Sequence, residues 1–96
     1  MRYGAFGLVE VLGSSNAIAA ADKMLKTAEV SFLTWDYKCG GHVLLIMTGS
    51  VAAVTAAVEA VREEPPCKIF FAGVISNPSE ETVRIAEERA KRFHFA

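Results

Sequence analysis

Apolar and polar positions alternate along residues 3–12. Ala5, Val9 and Val11 fall on one side, and Phe6 and Leu8 fall on the other with Gly4. A period of two predicts a strand. Gly13-Ser14-Ser15-Asn16 breaks it, with Ser15 as the expected N-cap of a helix. Ile18, Ala21, Leu25 and Ala28 then recur at helical spacing, beside Ala17, Ala20 and Met24. Asp22, Lys23 and Lys26 take the rest of that helix surface.

Residues 30–38 are rich in Val, Phe, Thr, Trp and Tyr, which predicts a second strand. Gly40-Gly41 punctuates the chain, and residues 43–48 form a short apolar third strand, so the pair reads as a hairpin. Ser50 is the expected cap of a helix over residues 51–62. That helix is apolar nearly all round (Val51, Ala52, Ala53, Val54, Ala56, Ala57, Val58), which predicts burial on more than one side. Pro65-Pro66 ends it, because proline lacks the amide donor. Residues 67–75 read as a fourth strand. Asn77-Pro78-Ser79 opens a third helix, with Glu80 and Glu81 at its positive end and an apolar stripe of Val83, Ala86, Ala90 and Phe93. Its remaining face is charged and solvated.

The order β-α-β-β-α-β-α contains the split βαβ, ferredoxin-like arrangement, plus a C-terminal helix. The fold class is α+β, one domain over residues 1–96.

Composition sharpens this picture. The chain has 96 residues, 52% hydrophobic, with a net charge of −1. A monomer of this size buries only roughly 64% of its unfolded surface. A mean hydropathy of +0.30 is high for such a domain, so part of the apolar surface is expected to be covered by other copies of the chain. The near-neutral charge argues against a nucleic-acid binder and against a disordered segment. The longest apolar run, residues 43–47, is far shorter than the roughly 20 residues of a membrane span. No targeting signal stands at Met1-Arg2-Tyr3-Gly4, so the chain is expected in the cytoplasm, with no membrane partner. Two cysteines make no disulfide framework.

Four stretches carry a resemblance to a known family. They are Gly7-Leu8-Val9-Glu10, the helix residues Ala20-Ala21-Asp22-Lys23-Met24-Leu25-Lys26-Thr27-Ala28, the loop Lys38-Cys39-Gly40-Gly41, and the corner Thr48-Gly49-Ser50-Val51-Ala52-Ala53-Val54. Together they resemble the single-domain hexameric shell proteins of bacterial microcompartments, the BMC domain, over residues 4–78. The resemblance implies a cyclic homohexamer that tiles with other shell proteins around encapsulated enzymes. A central pore would be lined by Lys38, Cys39, Gly40, Gly41 and His42. It also implies an inter-hexamer edge at Lys26. Ser76-Asn77-Pro78-Ser79 stands where the family commonly has Pro-Arg-Pro-His, so Asn77 occupies the edge position without its arginine. The resemblance implies a compartment in the cytoplasm and no catalytic role.

Cys39 is the candidate metal ligand. An ungapped count back from Gly49 puts it at the family's first pore glycine, and a one-residue gap puts it at the preceding apolar position. In a six-fold ring, six thiolates would converge, and soft sulfur ligands suit an iron–sulfur cluster or zinc. An iron–sulfur cluster shared between protomers is the expectation, on the resemblance to divergent members of glycyl-radical compartments. A small free thiol and a reversibly oxidised gate are the other readings of Cys39. Lys38 would favour its thiolate, and His42 would serve as ligand or partner. Cys67 is expected to be structural, His94 a tail residue, and Trp35 and Tyr37 core or interface aromatics.

Three other functions compete with this reading. An acylphosphatase-type hydrolase needs a cationic phosphate loop, and Gly13-Ser14-Ser15-Asn16 carries no charge. An RNA-recognition domain needs stacking aromatics with basic neighbours, and Phe70-Phe71 is the nearest approach. An oligomeric small-molecule sensor of ferredoxin-like fold is the main alternative, and it would be a dimer or trimer.

Overall fold

The computed structural model describes residues 3–92. Its elements are β1 (Ala5–Leu12), α1 (Ser14–Thr27), β2 (Ser31–Tyr37), a single 3-10 turn (Cys39–Gly41), β3 (His42–Gly49), α2 (Val51–Glu63), β4 (Phe71–Ser76) and α3 (Glu80–Arg92). The strands form one sheet in the order β2-β3-β1-β4, every pair antiparallel. The split βαβ arrangement read from the sequence is therefore present.

The alternation along β1 divides the molecule into two layers. Ala5, Val9 and Val11 face α1 and α2, and join Val43, Leu45, Met47, Met24, Val54, Val58 and Val61 in the main core. Phe6 and Leu8 face α3 and join Ile46, Val83 and Ala86 in a smaller cluster. Gly7 lies under α2. A Cβ there would come within 3.0 Å of the side chains of both Val54 and Val58, so the missing side chain lets α2 sit close on the sheet.

Caps follow residue chemistry. Ser50 Oγ accepts from Ala53 N at 3.1 Å, and Ser79 Oγ accepts from Thr82 N at 3.2 Å. The first helix departs from expectation. It begins at Ser14 behind Gly13, and no side chain caps it. Its buried residues are Ala17, Ala20 and Met24, whereas Ile18 is 59% and Leu25 46% exposed. Small alanines let α1 pack closely beside α2, and that contact selects the alanine stripe over the larger one.

Three more expectations are corrected. α2 buries Val54, Ala57, Val58 and Val61 and leaves Val51, Ala52 and Ala56 exposed, so in this chain only one side is covered. The fourth strand begins at Phe71, because Cys67 and Ile69 turn onto the main core instead of pairing. The pattern in β2 is broken by a bulge between Phe32 and Thr34. Leu33 packs in the α3-side cluster and Thr34 pairs with Ile46 of that cluster, while Phe32 and Trp35 both pack on the main core. Phe93 and His94 lie outside the described residues.

Candidate functional site

The hairpin between β2 and β3 brings Lys38, Cys39, Gly40, Gly41 and His42 into one tight turn. Gly40 and Gly41 have φ of 79° and 83°, a left-handed pair that side chains rarely adopt. Lys38 N donates to His42 O at 2.8 Å and closes the turn. Gly13 N donates to Gly41 O at 2.9 Å and ties it to the end of β1. Cys39 is exposed at the tip.

A carboxylate that sequence reasoning left out of the site lies beneath this turn. Glu10 is on β1, a central strand, and pairs with Leu44 of β3 and Phe71 of β4. Its Oε1 lies 3.4 Å from Lys38 Nζ, and its Oε2 lies 2.9 Å from His42 Nδ1. The approach makes no hydrogen bond, and Nδ1 is buried without one. The other face of the ring meets Phe70 edge-on, with centroids 4.6 Å apart, and Lys68 Nζ stands 5.0 Å from the Phe70 centroid. The sequence signalled Glu10 only as a charged residue in an otherwise apolar strand; its place under the turn comes from the register that pairs Leu12 with His42.

Cys67 is partly buried, its Sγ lies 3.9 Å from Asn16 O, and burial pushes its thiol above the ordinary range. Trp35 and Tyr37 contact one another, with centroids 5.7 Å apart, and Trp35 also packs on the main core.

The two edge residues lie on different elements. Lys26 is exposed in the last turn of α1 and pairs with Asp22 at 2.9 Å. The hydrogen bond and charge of Asp22 hold its ammonium above the usual lysine range. Asn77 follows β4 with φ 48°, and its N–H donates to Gly4 O at 2.9 Å.

Among the described residues no group of three or more His, Cys, Asp or Glu side chains is placed to hold a metal. A single chain offers Cys39 as one sulfur ligand, so its residues do not by themselves fit an iron–sulfur cluster. Nor is any described helix long and apolar enough to cross a membrane.

Comparison with known proteins adds independent observations. A family model described as the BMC domain matches residues 5–78. The carboxysome shell protein CsoS1B of Hydrogenovibrio crunogenus is 44% identical over 84 residues, which cover 83% of this chain and 87% of that protein. The probable carboxysome shell protein CsoS1E of Prochlorococcus marinus is 38% identical over 80 residues, 80% of this chain but only 39% of that protein. The crystal structure of a microcompartments protein from Desulfitobacterium hafniense superposes with a TM-score of 0.72 at 31% identity, covering 85% of this chain and 46% of that one. This chain thus spans less than half the length of the last two.

Proposed function

The chain belongs to the BMC-domain family, and from that premise we propose that it is a structural, non-catalytic shell protein of a bacterial microcompartment in the cytoplasm. The observation that carries the reading is the 44% identity to a carboxysome shell protein over 83% of this chain and 87% of that protein. In this reading six copies form a ring, and the rings tile with other shell proteins around enclosed enzymes. The exposed apolar side chains of the single chain, Ile18, Leu25, Val51, Phe71 and Ile85, supply surface for such contacts. The turn of residues 38–42 lines the central passage for small polar metabolites. Lys26 and Asn77 lie at the edge between rings, with a weakened contact where Asn77 replaces arginine.

The iron–sulfur cluster is the finer part of the proposal. Its support is the exposure of Cys39 at the tip of the turn. It requires thiolates from several copies, and it breaks six-fold symmetry because a cluster usually takes four cysteines. The glycyl-radical assignment rests on Cys39 alone, since CsoS1B is a carboxysome shell protein and CsoS1E a probable one.

One experiment separates the parts. Anaerobically purified protein is sized by chromatography with light scattering, and absorption and iron are measured on the same peak. A hexamer is expected, and a dimer or trimer would return the sensor reading. Iron and sulfide that vanish in Cys39→Ser protein support the cluster. Iron and sulfide unchanged in that variant, or absent from the native hexamer, remove it.

A further inference from the structure

We propose that Glu10 sets the charge of the turn, so that the passage favours small uncharged polar solutes over anions. This inference rests on the ring reading for its consequence, but its local part belongs to each chain. The turn of residues 38–42 carries one permanent charge, the ammonium of Lys38. Left alone, six such ammonium groups around an axis would make a cationic collar that concentrates anions. The geometry works against that. Glu10 stands on the sheet at 20% side-chain exposure and reaches both flanks of the turn, Lys38 Nζ at 3.4 Å and His42 Nδ1 at 2.9 Å. The Glu10 carboxylate is partly shielded, whereas Lys38 keeps 47% of its side-chain exposure, so the pair stays open to solvent and to salt.

The cancellation is local and costs the fold little. Glu10 needs no partner on its own strand, because Lys38 is delivered by the end of β2 and His42 by the start of β3. The same carboxylate therefore anchors the two ends of a turn whose middle is a pair of left-handed glycines. Its contribution is to leave Cys39 and backbone groups, rather than a net positive charge, as what a passing solute meets. Lys68 stands over the Phe70 ring, its ammonium 5.0 Å from the centroid, and is unchanged in every variant below.

Cys39 supplies the probe. Iodoacetate and iodoacetamide attack the same thiolate, and only the first carries a negative charge. The ratio of their rates at Cys39, read by peptide mass spectrometry, therefore reports the local potential and cancels any change in thiol ionisation. Cys67 is read separately on its own peptide. Glu10→Gln keeps the shape and removes the charge, and is expected to raise the iodoacetate-to-iodoacetamide ratio about two- to five-fold at low salt. Lys38→Gln is expected to lower it. Glu10→Asp keeps the ratio near that of the native protein, and molar salt shrinks all the differences. A ratio that stays flat in Glu10→Gln, or that rises in Lys38→Gln, overturns the proposal. Light scattering on the same samples separates the two ideas. A hexamer with a flat ratio leaves the shell reading standing and removes Glu10. A smaller oligomer with a shifted ratio keeps the charge cancellation and removes the ring.

Discussion

The two faces of the sheet are built to different standards. On the α1 and α2 face, thirteen residues are buried into one cluster drawn from four elements. On the α3 face, among the described residues, only Phe6, Ile46, Val83 and Ala86 are buried together. Beside them runs an apolar groove lined by Leu8, Leu44, Ile75 and Ile85, with Ile75 and Ile85 exposed at its rim. α3 is held over β2 by the Arg89–Asp36 ion pair at 2.8 Å, and the groove extends along its other side, toward β4. The difference teaches where stability and association reside. The first face closes on itself within one chain. Among the described residues, the second leaves apolar area uncovered.

Neighbouring residues of β3 test that contrast most strongly. Leu45 is fully buried against α1 and α2, whereas Leu44 lies at the margin of the α3-side cluster. Leu45→Ala is expected to cost about 2–5 kcal/mol in urea unfolding, through lost transfer energy and a cavity. Leu44→Ala is expected to cost about 1 kcal/mol, in line with the smaller area it removes. Equal losses would break the comparison and mean that α3 seals its face. Next come the caps. Ser50→Ala removes an acceptor from the helix that closes the main core and is expected to cost about 1 kcal/mol. Ser79→Ala sharpens the contrast, since an equal chemical loss on α3 lowers the unfolding midpoint less if α3 frays independently; hydrogen exchange on α3 amides would reveal that fraying. The smallest effect is expected at Lys26. Lys26→Ala leaves the unfolding midpoint unchanged, because its partner Asp22 is one turn away on an exposed surface. The same variant is expected to lose sheet formation by electron microscopy. Sheets that survive it would remove Lys26 from the edge.

The thiols differ in the same way as the faces. Cys39 is exposed, while burial raises the Cys67 thiol. A raised thiol holds its proton to higher pH and supplies less thiolate at pH 8. Cys39 is therefore expected to alkylate before Cys67, and their gap is expected to narrow as pH rises. Simultaneous modification at pH 8 would show that the segment before β4 opens readily.

The order of elements was legible because each carries its own period or stop: alternation in β1, Gly40-Gly41, Pro65-Pro66, Ser50 and Ser79. What was not legible depends on partners distant in sequence. Ile18 and Ala17 are both apolar, and only the approach of α2 decides which one is buried. The bulge at Leu33 answers to the spacing of Ile46 and Met47 across the ladder. Residues 67–70 have the composition of a strand, but Cys67 and Ile69 turn onto the core at the end of the sheet while Lys68 and Phe70 stay exposed. For the site, the turn could be found from its glycines. Glu10 needed the register that puts β1 beside β3, because its partners lie 28 and 32 positions on.

The hydrogen bond from Asn77 N to Gly4 O joins the residue just before β1 to the residue just after β4. The start and finish of the sheet are thus neighbours, and the family match of residues 5–78 begins and ends at that seam. A polypeptide whose sheet begins and finishes at one point has no preferred place to be cut. Its strands could be strung in a rotated order, with a short bridge across Gly4 and Asn77 and a new opening at an exposed loop elsewhere. The layered architecture would survive, but α3 would enter from a different place. Gene rearrangement could in this way redecorate the α3 face of the sheet while leaving the α1 and α2 face untouched.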